Sequence, residues 1–255
     1  PFDASFSTRY NSEFWDMIEI FESMEIWNGA TPFAAGTINA KAFKKWLSLL
    51  DEGKRLTATT GSDTHNIYGD DYFGMTEWLD WLMDIVMKHP EIYPEQMNEK
   101  VAYLTWLYKK VWPRLLSWVE QSNTPSTIHN YVYTNGKNQP QEILQAIREG
   151  HSFISNGPLI TAEINGVSYG DTATLKDNTG KMSVHVFSKK PINHLWMYTG
   201  VDKKVEICTG SGSLEGGFAY DIVTDEFDFG GASWALFVAD GGENNLAISN
   251  PILFA

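Results

Sequence analysis

The chain carries two textures of apolar and polar positions, and the change between them falls near residue 158. Before it, helical spacing and short strand-like runs take turns. Residues 12–22 read as a helix after a Ser12 cap, and Ser23 to Gly29 as a short strand ending in a turn. A helix is expected over about 39–51, capped by Asn39, with Phe43, Trp46, Leu47 and Leu50 on one face and Gly53 where a left-handed residue ends it. A strand over 55–60 follows. This alternation predicts a parallel α/β sheet or barrel with its chemistry at the carboxyl ends of the strands, where Asn28 and Asp63 stand.

Residues 75–121 are rich in Trp, Leu and Met at helical spacing and read as a helical hairpin turning between His89-Pro90 and Tyr93-Pro94. The α/β pattern then returns, with a strand over 128–133 and a helix over about 140–149, opened by Pro140 and closed by Gly150. Beyond the Asn156-Gly157-Pro158 corner, short alternating runs lie between Gly, Asn and Asp turns: 160–164, 182–187, 195–198, 218–223 and 234–238. That pattern predicts a β-sandwich. The expected division is therefore 1–157, α/β with the 75–121 hairpin inserted, and 158–255, a β-sandwich domain.

Composition narrows the partners. At 255 residues, 43% hydrophobic and 14% aromatic, the chain has ample material for a packed core. A net charge of −13 without basic clusters argues against nucleic acid or an anionic membrane surface and leaves small molecules or proteins. Cys208 is the only cysteine, which excludes an intrachain disulfide and a thiolate metal cluster. No apolar run reaches the roughly 18 residues a membrane span needs. The start at Pro1-Phe2-Asp3 leads quickly into core-like sequence and suggests a chain that begins inside a domain. Aromatic richness, acidity and the sandwich favour a periplasmic or secreted location.

The chemistry concentrates in Gly61-Ser62-Asp63-Thr64-His65. If the chain stays extended through Thr64, a period of two puts Asp63 and His65 on one side, where a carboxylate and an imidazole can share a divalent cation. The competing reading makes Asp63 a cap and His65 its hydrogen-bond partner. His89, His129, His151, His185 and His194 show no companion ligand spacing.

Four motifs in order, Glu25-Ile-Trp-Asn28-Gly29, Gly61-Ser-Asp63-Thr-His65, Ala146-Ile-Arg-Glu-Gly150-His-Ser-Phe-Ile-Ser-Asn-Gly157-Pro158 and Ala247-Ile-Ser-Asn-Pro-Ile252, resemble the carboxyl-terminal half of a PHP domain of the CehA/McbA-type metallohydrolases with its following β-sandwich. The resemblance covers most of the chain except the hairpin. It implies the carboxyl-terminal part of a distorted seven-stranded β/α barrel holding two or three divalent metal ions (Zn, Mn or Fe), with metal-activated water as nucleophile. Asp63 and His65 match that family's last ligand pair, and Glu25 and Asn28 a strand-end motif read as structural support. The family's amino-terminal His-x-His, Thr-Asp-His and Asn-His-Pro are missing, so the resemblance implies that a segment or chain upstream of Pro1 completes the site. His151 stands where that family suggests Arg, which puts an anion-binding role there in doubt.

The expected function is metal-dependent hydrolysis of a phosphoester, carbamate, amide or ester in a small-molecule substrate. His129 is read as a substrate or proton-donor contact, or as a structural histidine. The hairpin is read as a lid, an oligomer contact or a packed layer. The alternative is a non-catalytic ligand- or carbohydrate-binding protein with a relic barrel, for which Trp196, Tyr198 and Trp234 are candidate exposed aromatics.

Overall fold

A computed structural model describes residues 20–29, 33–62, 84, 88, 128–208, 212–214, 216–242 and 245–255. Residues 1–61 and 128–255 form one compact unit and 62–127 another, of which Ser62, Asp84 and Lys88 are described. Asp84 and Lys88 form an i,i+4 ion pair at 2.9 Å. Most of the helix expected over 12–22, and the hairpin over 75–121 apart from these two residues, lie outside the described residues.

The first unit begins with β1 (Ser23–Asn28), α1 (Ile38–Asp51) and β2 (Thr57–Gly61), and β1 and β2 pair in parallel. The helix starts at Thr37, whose hydroxyl accepts the Ala40 N–H at 3.3 Å, and not at Asn39. Asn39, the second residue of the helix, is buried and serves β1 instead. At the other end Gly53, at φ +79°, ends the helix as expected.

After Ile128 come β3 (His129–Val132), α2 (Pro140–Glu149) and β4 (Ser152–Ser155), then eleven further strands among the described residues. These are β5 (Leu159–Ile164), β6 (Val167–Ser168), β7 (Thr172–Ala173), β8 (Thr179–Ser188), β9 (His194–Gly200) and β10 (Lys203–Cys208). They continue with β11 (Gly212–Leu214), β12 (Gly217–Asp228), β13 (Trp234–Asp240), β14 (Leu246–Ser249) and β15 (Ile252–Phe254). One sheet runs β10-β9-β13-β14-β4-β3, with β15 and β7 attached through β13, and a second runs β11-β12-β8-β5-β6.

The two sheets face each other across one core, in which Ile160 and Ile164 of β5 and Val184 and Val186 of β8 meet Leu195, Met197 and Phe237. The opposite face of the larger sheet carries a second core. There Trp234, Leu236 and Val238 of β13 and Ile248 of β14 pack against Ile26, Phe43, Trp46 and Leu50. Strand β13 is thus buried on both faces, which explains its unbroken apolar run Trp-Ala-Leu-Phe-Val-Ala. Asn165 and Gly166, at φ +54° and +76°, form the tight hairpin turn joining β5 to β6.

The expectation of an α/β fold built on a partial barrel is overturned. Strands hold 49% of the described residues against 17% for helix, several sheets are antiparallel, and no α/β barrel is formed among them. The misleading segment is β3-α2-β4, which reads as a parallel crossover. Yet His129 pairs with Ser155 and Val132 with Ser152, so β3 and β4 are antiparallel neighbours. The Tyr133 N–H donates to the His151 carbonyl at 2.8 Å, so the excursion through α2 leaves and returns at the same end of the sheet. A helix between two strands sets their parallel direction only when it carries the chain back along the sheet. Pairing of β4 with β14 also runs the larger sheet across residues 157 and 158.

Candidate functional site

The sequence candidates point to the carboxyl end of β2. A β-bulge falls at Ile26: Glu25 is opposite Thr59 while Trp27 is opposite Thr60. The extra residue breaks the alternation, leaving Ile26 and Trp27 both buried and Glu25 exposed. Glu25 then reaches along the sheet to Gly61, where an added Cβ would stand 2.9 Å from its Oε2. The Glu25 carboxylate therefore lies beside Gly61, the last residue of β2.

Side-chain amides hold this strand pair in place. On β1, the Asn28 N–H donates to Asn39 Oδ1 at 2.9 Å and the Asn28 carbonyl accepts from Asn39 Nδ2 at 3.0 Å. On β2, Asn130 accepts the Thr60 N–H at 3.0 Å and donates to its carbonyl at 2.8 Å. Asn250 does the same for Ala58, at 2.6 and 3.4 Å, and also donates to Ser152. Each amide presents a donor and an acceptor side by side, as a peptide group does, so it satisfies a strand edge where no further strand is added. The Thr60 hydroxyl completes the set by donating to the Trp27 carbonyl at 2.6 Å.

Of the sequence candidates, Asp63 and His65 lie outside the described residues. Asn28 serves through its main chain. His129 is exposed at the start of β3, edge-on to Tyr131 at 5.8 Å and one residue from the amide that binds Thr60. Among the described residues no three His, Cys, Asp or Glu side chains gather as metal ligands. Beside the described end of β2 stands one carboxylate, that of Glu25, a ligand type that divalent ions use.

Elsewhere, Ser183, His185 and Asp221 form a chain in the order of a nucleophile relay, with Oγ to Nε2 at 2.9 Å and Nδ1 to Oδ1 at 2.6 Å. The chain lies on an exposed sheet face, and β8 pairs with β12 on one side and β5 on the other. The peptide N–H groups of β8 are thereby committed to the ladders and are not free to receive a developing oxyanion. Trp234 is buried, its indole N–H donating to Asp51 at 3.1 Å. Trp196 is half-buried under the Lys204 ammonium, 4.0 Å from the ring centre. Tyr198 packs edge-on to Phe43, and burial, with the Asp240 charge, raises its phenol pKa. These three do not make an exposed aromatic face.

The Ser155–Pro158 corner is a structural turn: the Ser155 hydroxyl donates to the Pro158 carbonyl at 2.6 Å and accepts the Gly157 N–H at 2.9 Å. The sequence reading missed all three amide clamps, because a lone Asn carries no signature of what it binds across the fold.

No known protein family, curated protein or solved structure matches this chain in comparison. The PHP-like reading therefore rests on its own motifs.

Proposed function

We propose that the chain acts in a metal-dependent hydrolase that cleaves a phosphoester, or a carbamate, amide or similar ester, in a small-molecule substrate. The observation that carries this reading is the β1-α1-β2 unit, whose parallel second strand ends at Gly61 and leads directly into Ser62-Asp63-Thr64-His65. In parallel α/β units, ligands gather at the carboxyl ends of strands. Asp63 and His65 are the proposed metal ligands, with Glu25, Asn28 and His129 as support or substrate contacts. Two or three divalent ions (Zn, Mn or Fe) are bound, with further ligands supplied from outside the described residues. When bound, they acidify a water and polarise the scissile phosphoryl or carbonyl oxygen. The described residues contribute rigidity: the clamps on Asn28, Ala58 and Thr60 fix the strand pair that leads into Asp63 and His65. The order of the PHP-like motifs supports the reading; a barrel is no part of it.

The test is metal content after dialysis against zinc or manganese, together with hydrolysis of aryl phosphates and aryl carbamates. Bound metal with turnover, both lost in folded Asp63→Ala and His65→Ala variants, is the expected result. A folded protein that retains no metal, or activity that survives both substitutions, overturns it.

A further inference from the structure

A cleft of about 450 Å³ lies between α2 and the turn that joins β6 to β7. Two glycines create it. Gly150 ends α2 at φ +81° and Gly170 turns the chain at φ +93°. A Cβ on Gly170 would stand 2.5 Å from the Glu149 carbonyl oxygen and 2.6 Å from His151 Cδ2, so only a bare backbone lets the two segments close. Their approach sets the His151 ring between two carboxylates. Nδ1 is 3.4 Å from Glu149 and Nε2 is 3.2 Å from Asp171, the latter a buried nitrogen without an aligned hydrogen bond.

The lining combines rings, carboxylates and amides. Tyr133 is 65% exposed, an aromatic face open to solvent. Tyr169 is buried in the same wall, its ring edge-on to Phe153 at 6.3 Å. The side chain of Gln145 donates to Glu149 Oε1 at 2.7 Å, which holds that carboxylate in the wall. Lys137 is the one lysine of the lining.

We propose that this cleft binds a neutral saccharide. An anion would meet Glu142, Glu149 and Asp171 in a chain of net charge −13. A cation would have to displace Gln145 from Glu149 and enter beside the His151 ring, which stands 3.4 Å from Glu149 and 3.2 Å from Asp171. Hydroxyl groups suit the wall because each both donates to a carboxylate or amide oxygen and accepts from Lys137, an amide or a phenol. The apolar face of a pyranose packs on an exposed aromatic ring such as Tyr133. This site is independent of the proposed hydrolytic chemistry, since it uses neither Asp63 nor His65.

The test is saturation-transfer NMR and calorimetry on the full chain with methyl β-glucopyranoside, methyl α-mannopyranoside, cellobiose, maltose and chitobiose. Choline and glucose 6-phosphate serve as cationic and anionic comparisons. At least one neutral sugar binds, and its affinity falls about tenfold or more in Tyr133→Ala and Asp171→Asn but not in Asp63→Ala. Tyr133 is exposed, so its removal leaves the core intact, as thermal melting will verify. Binding of none of the five sugars, binding unchanged in Tyr133→Ala, or preference for choline or the phosphate overturns the proposal.

Discussion

The side-chain amide of Asn250 closes a ring with both main-chain groups of Ala58, 192 residues earlier, accepting the N–H at 2.6 Å and donating to the carbonyl at 3.4 Å. The same amide donates to the carbonyl and hydroxyl of Ser152, at 2.9 and 3.0 Å. One buried side chain therefore joins β2 to β4. Replacing it with Ala strands the buried N–H and carbonyl of Ala58, while the Ser152 carbonyl keeps the main-chain N–H of residue 250 at 3.2 Å; Asn250→Ala is therefore expected to cost about 3 kcal/mol, more than one average hydrogen bond. Urea unfolding of the variant measures this; a loss below about 1 kcal/mol would mean that water replaces the clamp.

Glycine substitutions separate backbone strain from crowding. Gly53 and Gly170 both hold positive φ, +79° and +93°, yet a Cβ at Gly53 meets open space while one at Gly170 meets backbone at 2.5 Å. Gly53→Ala is expected to cost about 1 kcal/mol, the penalty of the left-handed conformation. Gly170→Ala adds a clash that only separation of α2 from the turn relieves, and is expected to cost about 3 kcal/mol or more. Similar losses for the two variants in parallel denaturant titrations would show that the Gly150-Gly170 contact is looser than described.

Tyr169 supplies a pH dependence whose sign is fixed. Burial, with a smaller contribution from Tyr133, pushes its phenol up to about 12 from the usual 10. The folded state then keeps a proton that the unfolded chain releases above pH 10, so stability falls as pH rises from 10 to about 12. The full effect is roughly 2–3 kcal/mol. Tyr169→Phe has no such proton, and its stability curve will be flatter over that window. Equal slopes for wild type and Tyr169→Phe would contradict the burial argument.

Local signals were legible in the chain, and pairings were not. Pro140 and Gly150 marked α2 because a missing N–H and a left-handed φ are properties of single residues. Alternation along β5 and β8 gave the sandwich strands for the same reason, since each strand's period reports its own burial. The direction in which β3 and β4 pair depends on where the chain re-enters the sheet, which the Tyr133–His151 bond decides and no periodicity encodes. The end of β2 was legible as Gly61-Ser62-Asp63. Glu25 beside it follows from a bulge at Ile26 that an apolar residue in a short strand does not announce. The cleft was invisible because Glu149 and Asp171 flank His151 only once two glycines have let separate turns touch.

Gly61 and Glu25 give a prediction that separates stability from function. Gly61 does not need a positive φ, so an Ala there brings crowding and no backbone strain. The added Cβ falls 2.9 Å from Glu25 Oε2, the far end of a flexible and exposed side chain and not backbone, so the contact is relieved by a shift of that side chain. Gly61→Ala is therefore expected to change stability by no more than about 0.5 kcal/mol while moving the carboxylate from the end of β2. If that carboxylate supports the strand end from which Asp63 and His65 extend, Gly61→Ala and Glu25→Gln will each weaken zinc binding about tenfold or more, measured by competition with a chromophoric chelator. The two variants act on the same group by different means, displacement in one and loss of charge in the other, so their double variant will be no weaker than either alone. Zinc affinity unchanged in both would remove Glu25 from the site and leave Gly61 as a packing residue.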